Sequence, residues 1–134
     1  KLTQREGYSF SFNYEEEVFV EGDNLRLSQV IYNLINNAIT YTGSDKSIVV
    51  SQEVMDGFVT IKVIDTGEGI PEEDIPLIWD RYYKVKKTHK RAQVGTGLGL
   101  SIVKKILLMH KADFGVKSTV GKGSCFWFKM KIIE

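Results

Sequence analysis

Three groups of residues in this chain have the types and spacing for chemistry. The first is a row of Asn33, Asn37 and Tyr41 within DNLRLSQVIYNLINNAITYT, residues 23–42. Steps of four keep them on one side of a helix, with about 40° of drift per step. A carboxamide oxygen is a hard, neutral ligand that suits Mg2+, an ion that keeps its waters and bridges to phosphates. Solvated helix faces usually carry Lys and Glu, which form helices better than Asn does, and residues 23–42 contain neither. The row therefore reads as a ligand-facing stripe, with a plain solvated face as the alternative. The second group is Asp65-Thr66-Gly67-Glu68-Gly69-Ile70-Pro71, a carboxylate at the end of an apolar run followed by two glycines. Such an Asp can accept a hydrogen bond from an exocyclic amine such as that of adenine, or it can simply cap its own turn. The third is Gly95-Thr96-Gly97-Leu98-Gly99-Leu100, a glycine-rich run that opens a helical pattern. Unobstructed amides and the positive end of a helix make an anion site, most naturally for phosphate. The run lacks the Gly-Lys-Ser/Thr of a nucleotide P-loop, and no short strand leads directly into it as a dinucleotide fingerprint requires. Between the second and third groups lie Lys84, Lys86, Lys87, Lys90 and Arg91, without an apolar period. They read as a solvated basic loop or, beside a phosphate site, as a neutraliser of the terminal phosphate.

These groups need positioning, and the hydrophobic periodicity supplies the elements. Tyr8, Phe10, Phe12 and Tyr14 alternate with Ser9, Ser11 and Asn13, a half-buried strand. Glu15 to Glu17 read as a turn, and Val18 and Val20 as a second short strand. Gly22-Asp23 breaks it, and Asp23 or Asn24 caps a helix that runs to Thr42-Gly43. Leu27, Ile31, Leu34, Ile35 and Ala38 make its apolar face, and the Asn row occupies the other half. Strands 48–54 and 58–65 join at Asp56-Gly57, a hairpin dipeptide. A short helix follows over 72–79, with an acidic first turn that suits its dipole. Leu100, Val103, Ile106, Leu107 and His110 follow helical spacing, and strands 114–119 and 124–132 close the chain around Gly121-Lys122-Gly123. Strands and helices mixed with hairpins predict an α+β domain rather than a regular parallel βαβ array.

Size and charge bound the rest. A chain of 134 residues fits one domain, residues 1–134. At 43% hydrophobic and 26% charged it has a globular composition, able to bury a core without disulfide or metal. Lys and Arg number 18 against 17 Asp and Glu, a balance that gives no support to nucleic acid as a bulk partner. The single cysteine, Cys125, excludes an internal disulfide and fits a reducing compartment. There is no run of about 20 apolar residues for a membrane span, and KLTQREGYSF has no apolar segment of a signal peptide. With no initiator Met, the chain is expected to be a piece of a longer protein.

Taken together and in order, the motifs resemble the catalytic, ATP-binding domain of sensor histidine kinases, within the GHKL ATPases that include type II topoisomerase, mismatch-repair and Hsp90 proteins. DNLRLSQVIYNLINNAITYT is similar to the family's N box, DTGEGIP to its first glycine box, and GTGLGLSIVK to its second. IWDRYYK resembles the F box with Trp79 in place of phenylalanine, and GKGSCF the last glycine turn. The resemblance spans about residues 8–132.

It implies a two-layer α/β sandwich of the Bergerat type, with a mixed, mostly antiparallel sheet and three helices on one face. It implies ATP and Mg2+ as cofactors and transfer of the γ-phosphoryl group to a histidine. By likeness, Asn37 coordinates Mg2+ and Asn33 lies beside the phosphates, with Lys84 near the terminal one; these three are the catalytic candidates. Asp65 accepts from the adenine amine, Gly67, Gly69 and Ile70 run close to the base, and Tyr41 packs on it. Gly95, Thr96, Gly97, Leu98, Gly99 and Leu100 cradle phosphates. A hydrolytic relative carries Glu at the position of Asn33, and asparagine is no base, which favours transfer over hydrolysis. Thr40 stands where many members carry lysine, Lys84 replaces an arginine, and His110-Lys111-Ala112 replaces His-Gly-Gly. His89 and His110 lack an acceptor-like His-Glu context, so the acceptor histidine is expected on a separate dimerisation domain of the parent. The implied partners are that domain and a response regulator. The implied setting is a cytoplasmic domain of a homodimeric, membrane-anchored parent. Trp79, Tyr82 and Tyr83 either pack against the helical domain or finish this core. An anti-sigma-factor type serine kinase and a degenerate ATP-sensing regulator are the alternatives.

Overall fold

The chain is described by a computed structural model that covers residues 9–13, 17–41, 47–79 and 99–133. Tyr8, Tyr14, the Glu15-Glu16 part of the turn, Thr42-Gly43 and the whole basic loop with His89 lie outside the described residues.

One mixed sheet organises the domain. β1 (Ser9–Asn13) runs parallel to β3 (Ser47–Met55), and every other pairing among the described residues is antiparallel. β4 (Phe58–Asp65) lies between β3 and β6 (Gly123–Ile133), β5 (Asp113–Thr119) pairs along the other side of β6, and β2 (Phe19–Val20) pairs with its last residues. Asp56 and Gly57 both take positive φ, 56° and 82°, and so form the tight type of turn that suits the twist of β3–β4.

Parity separates the two faces of the sheet. On β4 and β6, Val59, Val63, Phe126, Phe128 and Met130 are buried on the face that the helices cover. The opposite face carries Thr60, Lys62, Cys125, Trp127 and Lys129, with Lys62 in an ion pair to Glu53 at 3.1 Å. α1 (Asn24–Tyr41) lies against β4, and α2 (Gly99–Met109) against both α1 and β5.

The apolar face of α1 is rotated from the expected one. Val30, Leu34 and Ala38 are its deepest residues, while Leu27, Ile31 and Ile35 are only partly buried. Asn33 and Asn37 are half-buried and border this stripe, and the solvated side is Leu25, Arg26, Ser28, Gln29, Tyr32 and Asn36. The Asn row is thus not on the opposite half of the helix. The packing of α2 beside α1 draws it to the edge of the core.

Between the sheet and α2, the expected helix over 72–79 is a 3-10 helix over Glu72–Leu77. Pro76 opposes the α form: in an α-helix its ring would clash with the carbonyl of Glu72, four residues back. Asp74 N–H instead donates to the Pro71 carbonyl at 2.9 Å, three residues back. The three helices of the described residues are therefore two α-helices and this 3-10 turn. Beyond it, Trp79 packs edge-on against Phe114 and Phe126, with ring centroids 5.1 and 5.8 Å away. Of the two roles open to it, Trp79 finishes the core of this domain.

The two α-helices are tied at their distal ends. Asp23 caps α1: its Oδ1 accepts from Arg26 N–H at 3.1 Å. The imidazole of His110 then accepts from Asp23 N–H through Nε2 at 3.0 Å and donates from Nδ1 to the Ile106 carbonyl at 2.8 Å. These roles are those of the neutral ring with its proton on Nδ1. α2 ends in a Schellman motif, with Ala112 N–H on the Leu107 carbonyl at 3.0 Å and Lys111 N–H on the Leu108 carbonyl at 3.1 Å. Its left-handed residue is Lys111, at φ 56°. A side chain there crowds the following carbonyl. Lys111→Gly is expected to raise unfolding stability by about 1 kcal/mol, read from the midpoint of urea unfolding; no gain would refute the strain.

Candidate functional site

Asp65 is the last residue of β4, and 2% exposed. Its Oδ1 accepts from Gly67 N–H at 2.8 Å, a local turn that starts the glycine loop. The loop then runs against the turn between β5 and β6. Gly121 N–H donates to the Glu68 carbonyl at 2.7 Å, and Ile70 N–H donates to Ser118 Oγ at 2.7 Å. At Gly69, with φ 79°, a Cβ would fall 2.3 Å from the Thr119 carbonyl oxygen. At Gly123, with φ 116°, a Cβ would fall 2.1 Å from the carbonyl oxygen of Asp65. Only glycine lets the two backbones approach this closely. The buried residues Gly67, Gly69 and Ile70 therefore owe their place to a hairpin some 50 residues further along the chain.

The register sets a polar row at this end of the sheet. Asp65 stands opposite Ser124, and Ser124 opposite Ser118. One step further in, the facing set is apolar: Val63, Phe126 and Val116. Sequence reasoning missed Ser118 and Ser124. The signal was available: Phe114, Val116 and Ser118 share the parity of one strand face, so Ser118 is a polar residue at an inward position.

The second half of the site is the junction of α1 and α2. Asn33 Nδ2 donates to the carbonyl of Gly99, the first residue of α2, at 3.5 Å. Asn33 is thus held beside the N-terminal turn of α2, the end at which a helix dipole favours an anion. Asn37 is half-buried one turn on, Leu100 is half-buried against the core, and Tyr41 is the last residue of α1. Thr40 turns its hydroxyl back to the Asn36 carbonyl at 3.0 Å and so serves its own helix. Lys84, Gly95, Thr96, Gly97 and Leu98 lie outside the described residues. Cys125 points to the other face of the sheet. Burial pushes its thiol up, partly offset by Lys62 and Lys117. Among the described residues no three His, Cys, Asp or Glu side chains gather as a metal cluster.

A mostly antiparallel sheet under one helical layer, with a carboxylate-glycine loop at a strand end, is the architecture of the Bergerat-type ATP-binding domains. The chain belongs to the histidine kinase-, DNA gyrase B-, and HSP90-like ATPase family, whose pattern matches residues 22–133. It is 37% identical over 124 residues to the sensor protein SrrB of Staphylococcus aureus (strain NCTC 8325 / PS 47), covering 92% of this chain and 21% of SrrB. Its fold is similar to the catalytic domain of the histidine kinase ThkA, with a TM-score of 0.81 and 32% identity over 97% of this chain and 82% of that one. It is likewise similar to ThkA solved in complex with the response regulator protein TrrA, with a TM-score of 0.77 and 29% identity over 98% of this chain and 36% of that one. The chain spans about a fifth of the length of the curated relative, 21%. The domain is thus homologous to the catalytic domains of sensor histidine kinases.

Gly69 and Gly121 separate backbone strain from contact, since a Cβ at Gly121, with φ 85°, meets nothing within 4 Å. Gly121→Ala is expected to cost about 1 kcal/mol and Gly69→Ala more than about 2 kcal/mol, compared by urea unfolding. Equal losses would mean that the loop and hairpin do not press on one another at Gly69.

Proposed function

We propose that residues 1–134 act as one catalytic unit that binds Mg-ATP and transfers its γ-phosphoryl group to a histidine on a separate dimerisation domain of the parent. The observation that carries this reading is the contact of Asn33 with Gly99. It brings a helix bearing carboxamides, the kind of group that suits a metal, to the first turn of a helix whose N-terminus suits an anion, the two things a metal-bound triphosphate requires. The homology to SrrB and ThkA catalytic domains points the same way.

In this reading Asn37 offers its carboxamide oxygen to Mg2+. The fit is that of a hard, neutral ligand to an ion that takes its remaining ligands from water and phosphates. Asn33 lies beside the phosphates, Lys84 near the terminal one, and Gly95, Thr96, Gly97, Leu98, Gly99 and Leu100 hold the phosphate chain. Asp65 accepts from the adenine amine, with Gly67, Gly69 and Ile70 along the base and Tyr41 packed on it. Phosphoryl transfer needs positioning and charge neutralisation more than covalent chemistry by the protein. The acceptor imidazole is its own nucleophile. Asn33 offers no carboxylate to activate water, so transfer is favoured over hydrolysis.

The partners follow from the reaction: the dimerisation domain that bears the histidine and, through it, a response regulator. ThkA has been solved with its response regulator TrrA, which supports that assignment. No helix among the described residues is long and apolar enough to cross a membrane. We place the domain in the cytoplasm, where ATP is supplied, within a parent anchored in the membrane.

With labelled ATP and the parent's dimerisation domain supplied in trans, the wild type is expected to produce an acid-labile phosphohistidine. Asn37→Ala is expected to lose both this transfer and Mg-dependent nucleotide binding. A Mg-dependent titration unchanged by Asn37→Ala would sink the metal assignment, and label on serine would favour the serine-kinase alternative. Asp65→Asn, which replaces a pure acceptor by an amide, is expected to narrow the preference for adenine over guanine nucleotides by about tenfold. Equal discrimination by both proteins in competition titrations would remove Asp65 from the base site.

A further inference from the structure

Among the hydrogen bonds that hold the loop from Asp65 to Ile70, one is made by a side chain of a distant strand. Gly67 N–H donates to Asp65 Oδ1 within the loop, and Glu68 accepts from the backbone of Gly121. The exit of the loop is held by the hydroxyl of Ser118 on β5, which accepts from Ile70 N–H at 2.7 Å. That oxygen also lies 3.0 Å from the Gly123 carbonyl and 2.9 Å from Ser124 Oγ. A hydroxyl has one proton to give and two lone pairs to fill. Donating to Gly123 and accepting from Ile70 and Ser124 uses all three. A single oxygen therefore joins the glycine loop, the start of β6 and the polar row that contains Asp65.

Ile70 is 1% exposed and is followed by Pro71, which has no N–H. Ile70 thus supplies the last amide donor of the loop before the 3-10 helix begins at Glu72. Without the Ser118 hydroxyl that buried amide loses its acceptor, and the cheapest response is for Gly69 and Ile70 to shift. The pairing of β5 with β6 is made by backbone groups and does not need this hydroxyl. Its loss therefore leaves the backbone ladder in place and releases Ile70 N–H on the loop, together with the Gly123 carbonyl and Ser124 Oγ at the start of β6.

We propose that Ser118 is a positioning residue for nucleotide binding: it fixes Gly69 and Ile70, and through the shared row the Asp65 end of β4, in the shape that receives the base. This role rests on the nucleotide reading above.

The test compares wild type, Ser118→Ala, Ser118→Thr and Ser118→Cys by Mg-ATP titration and by amide hydrogen exchange of Ile70 without nucleotide. Removing the hydroxyl in Ser118→Ala is expected to speed exchange at Ile70 and weaken Mg-ATP affinity about tenfold. Ser118→Thr, which keeps the hydroxyl on a strand that tolerates β-branching, is expected to recover to within about threefold. Ser118→Cys, similar in shape but a poor hydrogen-bond partner, is expected to behave as the alanine variant does, and it serves in its place if the alanine variant fails to fold. Unchanged exchange at Ile70, or faster exchange with affinity within about twofold of wild type, would overturn the positioning role. Failure of Ser118→Thr to recover affinity would overturn it too, because packing rather than the hydroxyl would then be responsible. If the wild type itself binds no nucleotide, the functional reading falls and this role with it, while exchange at Ile70 still reports separately whether Ser118 anchors the loop.

Discussion

The approach of the glycine loop to the β5–β6 turn is the constraint on which the site end of the domain depends. Two glycines, one on each partner, sit where a Cβ would fall 2.3 and 2.1 Å from a backbone oxygen. Such contacts tolerate no side chain, so loop and hairpin register against one another without slack. Asp65 inherits its position from that register. It is paired on one side with Ile48 of β3 and on the other with Ser124 of β6, and its carboxylate turns back onto the loop it starts. A carboxylate held in this way is fixed in advance, as the proposed role of Asp65 as a base acceptor requires.

The helical layer depends on two polar ties at opposite ends of one helix pair. At the distal end, the ring of His110 bridges the end of α2 and the cap of α1. At the site end, Asn33 reaches the first carbonyl of α2. Between them the helices meet through apolar side chains, with Val30 and the half-buried Leu27 on α1 and Val103, Ile106 and Leu107 on α2. Of the proposed metal and phosphate groups, Asn33, Asn37, Gly99 and Leu100 are thus carried on one pair of helices, and the proposed base-binding carboxylate on the sheet. Departures from the family pattern fit this division. Thr40 bonds to its own helix, and Lys111 bears backbone strain far from the site. Neither intrudes on the Asn row.

Much of this was legible locally. The strands β1, β4 and β6, the Asp56-Gly57 hairpin and the capping Asp23 follow from rules that act over a few residues, and the structure has them within a residue or two. Pro76 is visible in the chain too, and its ring opposes the α form of the helix that the glycine loop, Pro71 and the acidic first turn mark. The Asn row is legible from its residue types, but its side of the helix is not: Asn33 and Asn37 border the core stripe and do not lie opposite it. Helical spacing defines which residues share a face but not where the neighbouring helix will lie.

The sequence by itself determined the elements, their order and the identity of the chemical groups, because periodicity, turn residues and motif spacing are properties of short stretches. Only the tertiary structure decided which of those groups meet. Asp23 and His110 are 87 residues apart, Asn33 and Gly99 are 66, and Ile70 and Ser118 are 48. Each of these meetings is fixed by strand register or by the packing of α1 on α2, and no local pattern encodes either. That is why Ser118 read as an ordinary strand residue in the chain and stands as the anchor of the glycine loop in the fold.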